Sequence, residues 1–196
     1  DAFMKGVGNY FKAHQWGNTE LKDLLIELER ESGRDLSEWS ALWLETAGVN
    51  TLRPEFVTDG EGNFSSFSIR QSAIALYPYL RPHRLGVGLF DLNNGKLERR
   101  HAIEIDVAGE ITKVPEFIGH KKPDLVLIND QDLAYAKIRL DDQSWKVALE
   151  NLSGITDSLA RTLVWSAAWD ATRDAEANPR HFIQLVLDHV ATETES

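Results

Sequence analysis

The chain of 196 residues has no cysteine and a single methionine. Without cysteine there is no disulfide, no thiolate metal site and no cysteine nucleophile, and the expectation is a reducing, cytoplasmic location. It has no run of eighteen apolar residues and no signal-peptide pattern, which argues against a membrane partner. Basic residues are scarce: 21 Lys and Arg stand against 31 Asp and Glu, for a formal net charge of −10. The acids are spread along the chain and no basic block interrupts them. Nucleic acid is therefore not expected as a partner, because its binding needs clustered cations that displace counterions. The chain opens on Asp1 rather than on methionine, so a processed or excised stretch is expected.

What is present is apolar and aromatic. Apolar residues make up 42% of the chain, including six Trp and eight Phe, which is enough for a sizeable core. Their spacing divides the chain into three. From Asp1 to about His14, Phe3, Val7, Tyr10, Phe11 and His14 fall on one helical face, with no cap signal in front of them. Leu21, Leu24, Leu25 and Leu28 make a second stripe, expected to be capped by Asn18 or Thr19 and stopped by Gly33. The third helix lies within Gly33–Gly48. Asp35 and Glu38 are spaced as a capping box, Leu36, Trp39, Leu42 and Trp43 share a face, and Gly48 suits a left-handed C-cap. Three short helices with brief links predict an antiparallel helical packet.

After a linker at Asn50–Pro54 the pattern changes to alternation. Strands are predicted at Glu55–Thr58 and Phe64–Gln71 around a turn at Asp59–Asn63. Another carries Leu85, Val87 and Leu89, followed by a tight turn at Asn93-Asn94-Gly95. The next strand presents His101, Ile103, Ile105 and Val107 on one face. Further strands are predicted at Ile111–Val114, Asp124–Ile128 and Ala134–Leu140. Short strands at this spacing predict an antiparallel β-sandwich. Helices return with Ser144 as cap and Trp145, Ala148, Leu149 and Leu152 as stripe. Thr156-Asp157-Ser158 then starts a helix with Leu159, Leu163 and Ala167 inward and Trp165 and Trp169 nearby. Asn178-Pro179 starts the last helix. The fold class is thus a helical packet, an antiparallel β-sandwich and an α-helical segment, with domains at 1–52, 53–143 and 144–196.

No catalytic, cofactor-binding or metal-binding residue is identified. None of the six histidines (14, 83, 101, 120, 181, 189) is followed by Glu, and no two lie three or four apart, so no helix presents paired imidazoles. Gly86-Val87-Gly88 lacks the third glycine and the following helix of a nucleotide fingerprint. Asp130 with Asp132, and Asp141 with Asp142, read as turn residues at strand ends. Asn129–Asp132 lacks the glycine and closing Glu of a calcium loop. Asn63 and Asn151 sit in glycosylation sequons, which count only in a secreted chain. The tryptophan pairs read as packing.

The order of parts, and the residues at their joints, resemble the aminopeptidase N family of zinc metallopeptidases. Tyr10-Phe11 with His14, Thr19, Asp23-Leu24, Ser32-Gly33-Arg34-Asp35-Leu36, Trp39, Trp43-Leu44, Ala47-Gly48 and Pro54 resemble the end of that family's thermolysin-like catalytic domain. Leu127–Lys137 with Arg139-Leu140-Asp141 is similar to the exit strands of its β-sandwich. Arg161, Trp165, Trp169, Asp170 and Arg173-Asp174 resemble the start of its C-terminal helical domain. The resemblance implies a parent enzyme that removes N-terminal residues from peptides, with zinc held by an H-E-x-x-H helix and a later Glu. Neither that motif nor the family's G-x-M-E-N motif is in this chain, so no catalytic residue carries over and this chain alone is expected to be inactive. Tyr10 reads as packing rather than as the family's oxyanion-stabilising tyrosine. The implied role is architectural, with the rest of the parent polypeptide as partner. The apolar faces carrying Phe3, Val7, Phe182 and Val186 are expected to support dimerisation. The alternative is a stand-alone β-sandwich that binds a protein or glycan through exposed Tyr77, Tyr79 and His83.

Overall fold

The computed structural model describes residues 1–193. It forms two compact units, Asp1–Ala47 and a second that begins at Gly48.

The first unit holds α1 (Ala2–His14), α2 (Leu21–Ser32) and α3 (Ser37–Leu44). Its caps differ from the expected ones. Asp1 itself caps α1 by accepting the Met4 N–H at 3.1 Å. The cap of α2 is Glu20, in a reciprocal box with Asp23, rather than Asn18 or Thr19. The Thr19 hydroxyl instead meets the Tyr10 hydroxyl at 2.6 Å. Gly33 ends α2 in the left-handed conformation, as read from the sequence. The Asp35–Glu38 box does not form. Asp35 accepts the Ser37 N–H at 2.8 Å, while the Leu36 N–H is taken by Glu29 from the preceding helix. Gly48 does have positive φ (97°), but it stands beyond the end of α3, and a Cβ there would meet Tyr77 at 2.7 Å. In this unit the residues buried are Gly6, Glu27 and Ser40, with no hydrophobic side chain among them. Gly6 lets α1 close on α2, because a Cβ there would lie 2.9 Å from Leu28.

The second unit contains a four-stranded sheet, a three-stranded sheet and three helices. The strands are β1 (Thr51–Thr58), β2 (Phe64–Ser72), β3 (His83–Asn93), β4 (Lys96–Val107), β5 (Ile111–Lys113), β6 (Leu125–Asp130) and β7 (Lys137–Ile138). Their orders are β5-β2-β1-β7 and β4-β3-β6, antiparallel except for β1 with β7. Two details depart from the sequence reading. The expected linker through Pro54 is β strand. Pro54 pairs with Ile69 of β2 and lies past Thr51–Leu52, the two residues that β7 covers, so it occupies an edge where its missing N–H is tolerated. The expected strand at 134–140 shrinks to Lys137–Ile138. Asn93-Asn94-Gly95 forms the β3–β4 turn, with positive φ at Asn94 and Gly95.

The helices are α4 (Asp142–Asn151), α5 (Ser158–Arg173) and α6 (Pro179–His189). Asp141, not Ser144, caps α4; the Ser144 hydroxyl bonds the Asp141 carboxylate and also accepts the Val126 N–H at 2.8 Å. The buried face of α5 is Ala160, Leu163, Val164, Ala167, Ala168 and Ala171. It is turned from the expected one, leaving Leu159 and Trp169 exposed.

These helices cover the outer face of the three-stranded sheet, and this makes three layers. Val126 and Ile128 of β6 enter the core between the sheets, beside Leu85, Val87, Leu89, Phe64 and Phe117. Leu125 and Leu127 enter a second core with Leu152, Leu163, Val164 and Leu185. A strand covered on both faces needs no polar alternation, which explains the unbroken apolar run at 125–128. Each such buried Leu, Ile or Phe contributes roughly 1.5–3 kcal/mol of transfer free energy.

Candidate functional site

The densest functional chemistry in the second unit is a set of ion-pair clamps at the ends of α5. At its start, Asp157 caps the helix by accepting the Leu159 and Ala160 N–H groups. Its other oxygen accepts from Arg99 of β4 at 2.6 Å. Arg99 also makes a two-pronged contact with Asp130 of β6, at 2.6 and 2.8 Å, and lies over the Phe90 ring. The Asp130 side chain is 1% exposed. Room for it comes from the glycines of β3: a Cβ on Gly88 would sit 2.4 Å from the Asp130 carboxylate, and one on Gly86 2.2 Å from its carbonyl. Gly86-Val87-Gly88 therefore serves this charge. The hydrogen bond from Arg99 is the main cause that holds the Asp157 carboxyl below its ordinary value, and the bond to Asp130 raises the Arg99 guanidinium.

At the far end of α5, Arg139 is 6% exposed and reaches Asp174 at 2.6 Å and Glu176 at 3.0 Å. Lys137 meets Asp174 at 2.6 Å, and Arg53 of β1 meets Glu176 at 3.1 Å. The Asp174 carboxyl is lowered, chiefly by Lys137, and that of Glu176 chiefly by Arg139. A cleft of about 340 Å³ opens beside this clamp, lined by Arg53, Arg139, Asp142, Trp145, Glu176 and His181 among others. Its two guanidinium groups are already engaged by carboxylates. A third tie joins Arg161 to Glu193 at 2.6 Å, with the Trp165 indole donating to the same carboxylate. The first two clamps fix α5 and its C-terminal end to the sheets, and the third ties α5 to the segment after α6; none places a nucleophile beside a base and an electrophile.

The residues singled out in the sequence are dispersed. His83, expected to be exposed with Tyr77 and Tyr79, is 5% exposed and sits 3.2 Å from Asn50 Oδ1. It belongs to the foundation of the loop, not to its surface, and a binding face built on it is ruled out. Asn50 also donates to Tyr79 O and accepts the Arg81 N–H, while Arg81 donates to Gly48 O. Burial, reinforced by Arg81, lowers the His83 pKa to about 4. His189 Nε2 faces Leu149 O at 2.9 Å, so that nitrogen carries the proton and Nδ1 accepts from the Ser153 hydroxyl at 2.6 Å. These bonds tie α6 to the turn between α4 and α5. Asn129 and Asp132 form a turn closed on Ala134. Tyr10 packs against Phe11 and His14.

Among the described residues no three His, Cys, Asp or Glu side chains converge as a metal site. The residues here do not fit the zinc centre that the family resemblance implies. Among them, too, no helix is long and apolar enough to cross a membrane. What sequence reading missed is a pair of imidazoles: His101 and His120, 19 positions apart, lie with ring centres 4.9 Å from each other.

Comparison with known proteins accounts for this architecture. The sequence model of the ERAP1-like C-terminal domain matches residues 125–196. Aminopeptidase N of Streptomyces lividans is 52% identical over 202 aligned residues, which take in 100% of this chain and 24% of that protein. Aminopeptidase 2 of Candida albicans is 39% identical over 61 residues, 31% of this chain and 7% of its own. The crystal structure of Legionella pneumophila aminopeptidase A in complex with aspartic acid shares the fold, with a TM-score of 0.60 at 18% identity, over 94% of this chain and 21% of that one. The chain thus spans about a quarter of the length of its Streptomyces relative. Matched end to end at that identity, it belongs to the aminopeptidase N family, as a portion of such a protein.

Proposed function

We propose that this chain is a non-catalytic, architectural portion of a zinc-dependent aminopeptidase that removes N-terminal residues from peptides. On this reading residues 1–52 are the last helices of a catalytic domain, 53–143 the β-sandwich and 144–196 the first helices of the C-terminal domain. Zinc, its ligands and the peptide site belong to the rest of the parent polypeptide, which is the main partner, and the parent works in the cytoplasm. The sandwich acts as a stiff link between the catalytic and C-terminal helical parts.

The observation that carries this reading is the state of the first unit. It buries no hydrophobic side chain, yet Phe3, Met4, Phe11, Leu21, Ile26 and Trp39 are exposed. Such a surface suits helices covered by further polypeptide. The clamps at both ends of α5 support the stiffness of the second unit.

The test is an aminopeptidase assay on the 196-residue chain with added zinc. No turnover above buffer is expected. Clear turnover, abolished by a chelator, overturns the proposal.

A further inference from the structure

The structure brings His101 and His120 together at one end of the sandwich. His101 projects from β4 toward the core between the sheets, on the same face as Ile103 and Ile105. His120 follows the 3-10 turn Pro115–Phe117 and is held by its backbone: its N–H donates to Phe117 O at 3.0 Å, and its carbonyl accepts the Phe64 N–H at 2.8 Å. Both imidazoles are half-buried and stand edge-on to the buried Phe117 ring, at 74° and 72°. The two rings are tilted by 31°, with centres 4.9 Å apart. Among the described residues neither imidazole has a hydrogen-bond or ion-pair partner, so the ring nitrogens are not committed to another side chain.

We propose that His101 and His120 form a two-imidazole site for a first-row divalent transition metal. The separation fits. A metal–nitrogen bond is about 2.0–2.1 Å, which places each ring centre about 3.2 Å from the ion. Two such arms at about 90–110° set ring centres roughly 4.5–5.2 Å apart, and the observed spacing lies in that range. Imidazole nitrogen suits Zn²⁺, Cu²⁺ and Ni²⁺ rather than Mg²⁺ or Ca²⁺. The support is rigid: Phe117 packs on Phe64 and Phe67, and Arg100 bonds Lys121 O at 2.7 Å, joining β4 to the His120 loop. The competing cation nearby, Lys121, has its ammonium on Glu61 O at 2.5 Å. Two protein ligands leave the remaining positions to water, so the site binds reversibly.

The experiment is calorimetric titration of the whole chain with ZnCl₂, paired with electron paramagnetic resonance of the Cu²⁺-loaded chain. One bound Zn²⁺ is expected, with His101→Gln and His120→Gln each weakening it at least about tenfold. His14→Gln, at the end of α1, leaves the affinity unchanged. The copper spectrum is expected to show two nitrogen couplings, reduced to one in each single variant. Far-UV circular dichroism confirms that the variants keep the fold. Zinc binding that survives in the His101→Gln/His120→Gln double variant overturns the site, and so does a wild-type titration no different from buffer. Neither outcome depends on the aminopeptidase assignment.

Discussion

At the scale of single residues, the fold concentrates its risk where a polar group is buried. His83 is neutral in the folded chain because burial and Arg81 lower its pKa to about 4. In the unfolded chain it titrates near the ordinary histidine value, about 6.5. Between these values the unfolded state binds the extra proton. Stability is therefore full above about pH 6.5 and falls as the pH drops toward 4, by an expected 2–3 kcal/mol, roughly. Urea unfolding at pH 7.0, 5.5 and 4.5 measures this, and His83→Gln should flatten the slope. Gly88 is the second such residue. Alanine there would push a methyl group against the Asp130 carboxylate and the Phe90 ring. Gly88→Ala should cost about 2 kcal/mol or more, read as a lower urea midpoint with no change in the strand content. Neither role was legible in the sequence. A histidine in a proline-rich loop reads as exposed, and a Gly-x-Gly in a strand says only that something comes close. What came close was a carboxylate from another strand, 42 residues on from Gly88 along the chain.

At the scale of elements, the local signals were dependable and the long-range ones were silent. Alternation gave β4, and the Asn93–Gly95 turn gave its pairing with β3, because both depend on neighbours in sequence. Caps shifted by one to three positions: Asp141 in place of Ser144, Glu20 in place of Thr19. In each case another group competed for the expected cap; Ser144 was drawn to the β6 backbone and Thr19 to Tyr10. The rotated face of α5 has a different cause. Its large residues look like core, but the space above a three-stranded sheet already filled by Leu125 and Leu127 is closed by Ala160, Leu163, Val164 and Ala168, which leaves Trp165 half-buried at the margin and Trp169 exposed. The clamps could not be read at all, since an ion pair across 35 or 37 positions has no periodic signature. They do have a measurable consequence. Arg99→Met leaves the Asp130 carboxylate buried without its partner and should destabilise the second unit by about 3–5 kcal/mol. Arg139→Met should cost less, about 1–3 kcal/mol, because Asp174 and Glu176 remain partly hydrated. It should also alter the acid limb. Asp174 and Glu176 are lowered in the folded state, so their contribution is present above about pH 4 and lost below it. In Arg139→Met that acid-dependent loss should shrink, which acid titration followed by tryptophan fluorescence will report.

At the scale of the molecule, the two units differ in what holds them. The second is organised around two hydrophobic cores on either side of β3 and β6. The first has helix caps, the close approach at Gly6 and the Glu27–Arg30 pair at 2.7 Å, but no buried hydrophobic side chain. Helices of 13, 12 and 8 residues are too short to persist in water on propensity alone, and without a core the ordering entropy is barely offset. The two units should therefore not unfold together in the isolated chain. Hydrogen exchange followed by mass spectrometry should show amides of α1–α3 exchanging at least about a hundredfold faster than those of β3 and β6, and limited proteolysis should cut first before Gly48. The exposed row that begins at Phe3 and Met4 should bind a hydrophobic dye, and the chain should self-associate as its concentration rises. Phe3→Ser/Met4→Ser should reduce both without moving the unfolding midpoint of the sandwich. Uniform protection across Ala47 and Gly48 would contradict this division, and with it the view that the first helices depend on polypeptide beyond this chain for their core.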